Sequence, residues 1–187
     1  AIRKESPLCA IEFITNGTTL TKDNVNKCLE YKVSNIGVSL AGATSETHNK
    51  LRLKSDLDQI KSNLMYLKKR KEELNILEPY VSTLFTVMQS NYTELPDFIK
   101  WCQDVGCYSV GTQSLIVTHP TMNSEIVSDE ELQPYINKAK EAARLGNTIF
   151  RGEGQSIYNP KDIQFLEKDH FHVNEGYCIA EQPWNTV

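Results

Sequence analysis

Asn16, Ser39 and Arg52 are the residues of this 187-residue chain whose types and positions point most directly to ligand chemistry. Asn16 closes the apolar run AIEFIT just before Gly17. A side-chain amide there can bond a ligand hydroxyl or carboxylate. The same Asn-Gly pair also makes a tight turn in which the amide caps backbone, and both readings stay open. Ser39 ends a second apolar run and precedes Leu40-Ala41-Gly42-Ala43, where glycine lets a ligand approach the backbone. A small residue chosen for packing is the alternative. Arg52 follows Glu46-Thr47-His48 and offers planar, bidentate pairing to a carboxylate. On spacing alone, a solvated surface arginine is the simpler account.

Other reactive types are less convergent. His48 has no Cys or His at metal-ligand spacing, so it reads as a structural, hydrogen-bonding histidine. His170, His172, Glu175 and Cys178 cluster loosely near the end, but the second ligand pair of a zinc site is missing. Cys28, Cys102 and Cys107 fall in or near helical segments and read as buried hydrophobes, and Cys9, just before a strand, reads the same way. No GxxxxGK[ST], GxGxxG or GxSxG motif occurs, which argues against nucleotide hydrolase, dinucleotide oxidoreductase and α/β-hydrolase chemistry.

The elements that must position these residues alternate. Ala10–Thr15, Asn35–Leu40, Tyr80–Met88 and Ser109–Val117 are short, rich in Ile, Val, Phe, Leu or Thr, and bounded by turn residues, so they are expected strands. Near-continuous runs such as IGVSL suit strands buried on both faces, as in a parallel sheet. Helices are expected over Lys22–Tyr31 behind the N-cap Thr21, and from about Asp56 to Leu74, where Leu57, Ile60, Leu64 and Leu67 recur at helical spacing. Ser55-x-x-Asp58 has the form of a capping box for the second of these. Its KKRKEE face reads as solvated surface. A third helix is expected over Thr93–Val105, with Pro96 in its first turn and Gly106 stopping it. A fourth opens at Ser128-x-x-Glu131 and closes at Gly146. A β-α-β-α-β-α-β-α order implies a parallel sheet with right-handed crossovers, whose ligand end is the C-terminal end of the strands. From Phe150 onward the pattern fades into Gly-, Pro- and Asn-rich sequence.

Composition is that of an ordinary globular protein, with 40% hydrophobic and 24% charged residues. The net charge of −4 argues against a general nucleic-acid binder. No apolar run approaches the roughly 18 residues that span a bilayer, and AIRKESPL has no secretory h-region. Five scattered cysteines do not form a disulfide framework, so a reducing cytoplasm is expected. Asn16-Gly17-Thr18 and Asn91-Tyr92-Thr93 match the glycosylation sequon, a triplet that also arises by chance. The missing initiator Met and the charged, helix-like start lead us to expect a piece of a longer protein.

Taken in order, the strings ITNGTTLT, NIGVSLAGATSETHNKLR, FTVMQSNYTELPDFIKWCQDVG and VGTQSLIV resemble the radical SAM superfamily. More narrowly, they are similar to its members with a C-terminal SPASM or twitch extension. The resemblance covers about residues 10–146. It implies an α/β, TIM-type partial barrel holding strands three to six of a (β/α)6 barrel, over 1–149. A linker and the start of a SPASM-like extension would follow over 150–187. It further implies S-adenosylmethionine on a [4Fe–4S] cluster at the barrel mouth, and radical modification of a peptide or similar small-molecule substrate. By position, Asn16 would lie at the mouth, and Ser39 by the ribose and methionine moiety. Arg52 would lie on the methionine carboxylate, and Gln113 and Leu115 near the adenine. Cys178, followed by Pro183-Trp184, would be a first ligand to an auxiliary iron–sulfur cluster.

The sequence departs from that pattern. Ser39-Leu40-Ala41-Gly42 stands where the family often has SLDG, and neither the CxxxCxxC cluster loop nor the Gly-Gly-Glu segment is present. Iron–sulfur ligation needs several thiolates converging on one site, so the chain as given is expected to be inactive alone. The rival expectation is a non-catalytic half-barrel module that associates with itself or a partner chain through its two exposed sheet edges.

Overall fold

The computed structural model describes residues 5, 6, 8–146 and 148–152. Among them, five strands form one sheet in the order β1-β2-β3-β4-β5, and every neighbouring pair is parallel. They are β1 (Glu12–Thr15), β2 (Asn35–Leu40), β3 (Tyr80–Val87), β4 (Ser109–Ser114) and β5 (Ile149–Arg151). Helices α1 (Lys22–Glu30), α2 (Ser45–Leu51), α3 (Leu57–Leu74), α4 (Leu95–Asp104) and α5 (Asp129–Leu145) fill the connections. The parallel α/β sheet expected from the alternation, and the partial barrel that the resemblance implies, are what the chain forms.

Period-two alternation divides the sheet into two faces. Ile36, Val38 and Leu40 of β2, Val81, Phe85 and Val87 of β3, and Val110 of β4 are buried, and belong to one core with the helices. Helix residues at 3.6-residue spacing meet them: Ile60, Leu64 and Leu67 from α3, Phe98, Ile99 and Cys102 from α4, and Leu132, Ile136, Ala139 and Ala143 from α5. The alternate strand residues, Asn35, Gly37 and Ser39 on β2 with Ser82, Leu84 and Thr86 on β3, face away from the helices and are half-buried or exposed.

Several sequence expectations are corrected. β5 was not foreseen. It is three residues long and pairs Ile149, Phe150 and Arg151 with Ser109, Val110 and Gly111, so the sheet continues through Phe150, where the sequence pattern fades. Strands three to six thus account for only four of the five. β4 stops at Ser114 rather than Val117. α2 is a helix outside the expected set, and Thr44 caps it by accepting the Thr47 N–H at 3.2 Å. Ser55 does not cap α3. The cap is Asp56, whose Oδ1 accepts the Asp58 and Gln59 N–H groups, because Ser55 is turned inward to His48. Cys9 is exposed rather than buried, since it lies ahead of the edge strand β1 and not beneath a helix. The capping box at Ser128 and Glu131 forms as expected.

No helix among the described residues is long and apolar enough to cross a membrane.

Candidate functional site

The open face of the sheet is a trough of about 550 Å³, lined by Glu12, Asn35, Ser39, Ser82, Ser109 and Arg151 among others. Gly37 and Gly111 contribute no side chain to it. Of the expected site residues only Ser39 lines it, and the rim at the C-terminal ends of the strands carries the β1–α1 turn, the β2–α2 loop and the ends of β3 and β4.

The β2–α2 loop is held by side chains from far along the chain. Asn91, fully buried, donates from its amide to the Ala41 and Thr86 carbonyls at 3.0 Å each and accepts the Met88 N–H at 2.8 Å. It therefore welds the end of β2 to the end of β3. Glu94 takes the Ala43 N–H at 2.7 Å, the Thr44 N–H at 3.3 Å and the Thr44 hydroxyl at 3.2 Å, and a further bond from the Thr47 hydroxyl. A carboxylate placed there satisfies free N–H groups at the start of α2 and meets the positive end of that helix. Gly42 permits the approach, because a Cβ there would lie 2.9 Å from Thr47 Cγ2 and 3.0 Å from the His48 nitrogen.

His48, on α2, is fully buried. Its Nδ1 accepts the Ala41 N–H at 3.2 Å, so Nε2 carries the proton and donates to Ser55 Oγ at 2.9 Å. The structural role expected for His48 is the one it has. Burial, and after it the neighbouring Arg52 cation, push its pKa down to about 4, while Asp56 opposes them. The unfolded imidazole takes its proton near pH 6.5, and the folded one resists until about pH 4. The neutral form therefore contributes stability that is complete above pH 6.5 and lost as pH falls from there towards 4. The loss amounts to about 3 kcal/mol by pH 4, at 1.36 kcal/mol per unit. Urea midpoints should fall over that window in the native chain and much less in His48→Gln. Parallel pH profiles for the two would rule this out.

Arg52 follows α2, where its N–H donates to the His48 carbonyl at 2.8 Å. Its guanidinium is half-buried, its Nε is buried without a partner, and it makes no hydrogen bond or ion pair among the described residues. Arg70, whose Nε is likewise buried, differs in pairing with Glu73. Burial lowers the Arg52 pKa. A desolvated cation without a counter-ion is costly, and a carboxylate is the ligand that relieves the cost.

The other expected positions fall at the same end of the sheet with different environments. Asn16 is exposed, and its Oδ1 accepts both the Thr18 N–H at 3.1 Å and the Thr18 hydroxyl at 2.7 Å. The turn reading is thus realised, and only its NH2 group is left to face outward. Ser39 is half-buried, on the trough side of β2. Gln113 donates to Thr86 Oγ1 at 2.6 Å, across from β4 to β3, and half-buried Leu115 follows β4 directly. Ala41, which stands where the radical SAM pattern often has Asp, is buried at 3% exposure with its N–H and carbonyl both bonded, so a carboxylate there would have little room. Cys178 and the His170–Glu175 cluster lie outside the described residues.

Sequence reading missed Asn91 and Glu94. Asn91 registered only as a glycosylation sequon, which its full burial excludes in the folded chain. Their partners stand up to 51 residues away, and no local pattern announces such bonds.

These features define a parallel βα partial barrel with a polar rim at the C-terminal ends of its strands. No family model and no curated protein matches the sequence. Among solved structures, the fold is similar to SuiB of Streptococcus suis. The SuiB complex with the precursor peptide SuiA matches with a TM-score of 0.59 at 14% identity, over 76% of this chain and 31% of SuiB. The SuiB complex with S-adenosylmethionine matches with a TM-score of 0.59 at 15% identity, over 76% of this chain and 32% of SuiB. This chain therefore spans about a third of SuiB, and the likeness is one of fold.

The described residues fit the two groups implied by the radical SAM resemblance unequally. The unpartnered Arg52 guanidinium at the rim suits the carboxylate of S-adenosylmethionine. A [4Fe–4S] cluster is not accommodated: Cys28, Cys102 and Cys107 are buried in the helix layer or its edge, Cys9 is exposed before β1, and no group of three His, Cys, Asp or Glu could hold a metal among the described residues.

Proposed function

We propose that this chain is the C-terminal part of a radical SAM barrel that binds S-adenosylmethionine at its rim, in an enzyme modifying a peptide or similar substrate. The observation that carries the reading is Arg52, a half-buried guanidinium with no counter-ion among the described residues, held at the rim by a loop that Asn91 and Glu94 fix in place. The fold shared with SuiB, seen with S-adenosylmethionine and with a precursor peptide, supports it. In radical SAM enzymes that cofactor supplies the radical that abstracts a substrate hydrogen. The share of this chain is binding and orientation: Arg52 on the methionine carboxylate, the Ser39 hydroxyl towards the ribose and methionine, Gln113 and Leu115 by the adenine, and the Asn16 amide at the opening. Cys178 is proposed as a ligand to an auxiliary iron–sulfur cluster. The primary cluster requires thiolates that this sequence does not contain, so the chain as given does no radical chemistry by itself.

A second reading, a non-catalytic half-barrel that pairs with itself or a partner chain, is favoured by one observation. The edge strand β1 leaves Ile14 81% exposed, and exposed apolar edges invite pairing.

Calorimetric titration of the chain with S-adenosylmethionine tests the first reading. Saturable binding is the expected result, and no heat at millimolar ligand would overturn it in favour of the module.

A further inference from the structure

The α4–β4 turn lies at the N-terminal end of β4, opposite the rim, and has no part in the proposed S-adenosylmethionine site. Two thiols meet there. α4 ends in a Schellman motif: the Cys107 N–H donates to the Cys102 carbonyl at 2.8 Å and the Gly106 N–H to the Gln103 carbonyl at 3.1 Å, with Gly106 left-handed at φ +80°. This motif brings the side chains three residues before and two after the cap into contact. In most helices that contact is between hydrophobes. Here both positions are cysteine, and their thiols are close enough to hydrogen-bond each other. Cys102 is fully buried and Cys107 is 5% exposed. Burial, and after it the neighbouring Cys107 thiol, push the Cys102 thiol well above its ordinary range. A concavity of about 390 Å³ opens beside the pair, lined by Lys71, Val81, Val105 and Gly106 among others. Lys71 is half-buried and bonds the Pro79 carbonyl at 2.9 Å, and burial pushes its pKa down.

We infer that Cys102 and Cys107 form a redox-active dithiol that small peroxides convert to a disulfide, clamping the end of α4 to the start of β4. Cys107, the more exposed of the two thiols at 5%, is the one that hydrogen peroxide meets first. The Cys107 thiol gives up its proton as its sulfur attacks one peroxide oxygen. The O–O bond breaks, the hydroxide takes up that proton and leaves as water, and Cys107 becomes a sulfenic acid. The Cys102 sulfur then attacks the Cys107 sulfur, the S–O bond breaks, and the hydroxide leaves as a second water with the Cys102 proton. Two thiols are oxidised by two electrons and one peroxide is reduced. A buried partner one turn away makes this second step intramolecular, which favours it over further oxidation of Cys107.

The test uses the whole chain. It is treated with hydrogen peroxide while folded, alkylated in denaturant and digested with trypsin. Both cysteines fall in the single fragment Trp101–Lys138, which should lose two hydrogens and resist alkylation until reduced, while the fragment carrying Cys28 stays alkylatable. Phenylarsine oxide, which bridges paired thiols, should bind the folded, reduced chain at one equivalent and block the disulfide. Cys107→Ser, checked by circular dichroism to be folded, should lose both responses, and Cys28→Ser neither. Two free thiols after peroxide would overturn the proposal. So would Cys107 sulfinate beside a free Cys102, or a disulfide that forms only in denaturant.

Discussion

Replacing Asn91 by alanine is expected to cost about 3 to 5 kcal/mol of stability. Asn91 is a polar side chain with no exposure, and three of its hydrogen bonds are made with backbone groups: the Met88 N–H and the Ala41 and Thr86 carbonyls. Removing it leaves a donor and two acceptors short of a partner, each costing about 1 to 3 kcal/mol, beside a cavity the size of the lost amide. Asn91→Asp sharpens the test. It keeps the shape and the bond from Met88, but it turns a buried carboxylate oxygen towards two carbonyls, so it should be at least as damaging. Urea denaturation at neutral pH measures both, with m-values near that of the native chain. A loss below 1 kcal/mol for the alanine variant would mean that water replaces the amide and that the β2–β3 weld is not structural.

That weld also marks where sequence reading stops. The strand starts at Asn35, Tyr80 and Ser109, the helical stripe Ile60-Leu64-Leu67 and the Ser128–Glu131 cap were all visible, because each is a pattern within a few residues of chain. The inward turn of Ser55 was not: a serine three residues before an aspartate reads as a cap, and only the folded chain reveals that His48 claims its hydroxyl. β5 was invisible for a related reason. Three residues carry no periodicity, and β5 exists because β4 offers a parallel edge at Ser109–Gly111. The rim was legible as a location, since strand ends with Asn-Gly and Ala-Gly-Ala pointed to it. The side chains that shape it, Asn91 and Glu94, arrive from the β3–α4 connection, 47 to 51 residues from the loop they hold. Arg52 was legible only by resemblance. What distinguishes it from an ordinary surface arginine is a buried Nε with no partner among the described residues, and a sequence does not display the absence of a contact.

Arg52→Ala should weaken S-adenosylmethionine binding by about 10- to 150-fold, the range that a charge-assisted bond of about 1.5 to 3 kcal/mol implies, and should leave the free chain at least as stable. The two halves of this expectation come from one fact. In the ligand-free protein the guanidinium is half-buried with its Nε unpaired, so deleting it removes a desolvation cost and no bond. The cap of α2 is made by the Arg52 backbone N–H to His48 and survives the substitution. With ligand present, the same deletion removes the only cation proposed to meet the methionine carboxylate. Arg52→Lys should fall between, because an ammonium keeps the charge and loses the planar fork. A structural arginine would behave oppositely, losing stability on truncation with affinity following only as far as folding does. His48 supplies an internal check. Arg52 is one of the two influences that depress its pKa, so in Arg52→Ala the imidazole should titrate closer to pH 6.5, and the acid loss of stability should still begin near pH 6.5 but end at a higher pH and be smaller, because the gap between folded and unfolded values narrows. Calorimetry, urea melts and the His48 proton resonance separate these outcomes. Unchanged affinity in Arg52→Ala, with the His48 shift present, would leave the arginine at the rim but remove it from the cofactor.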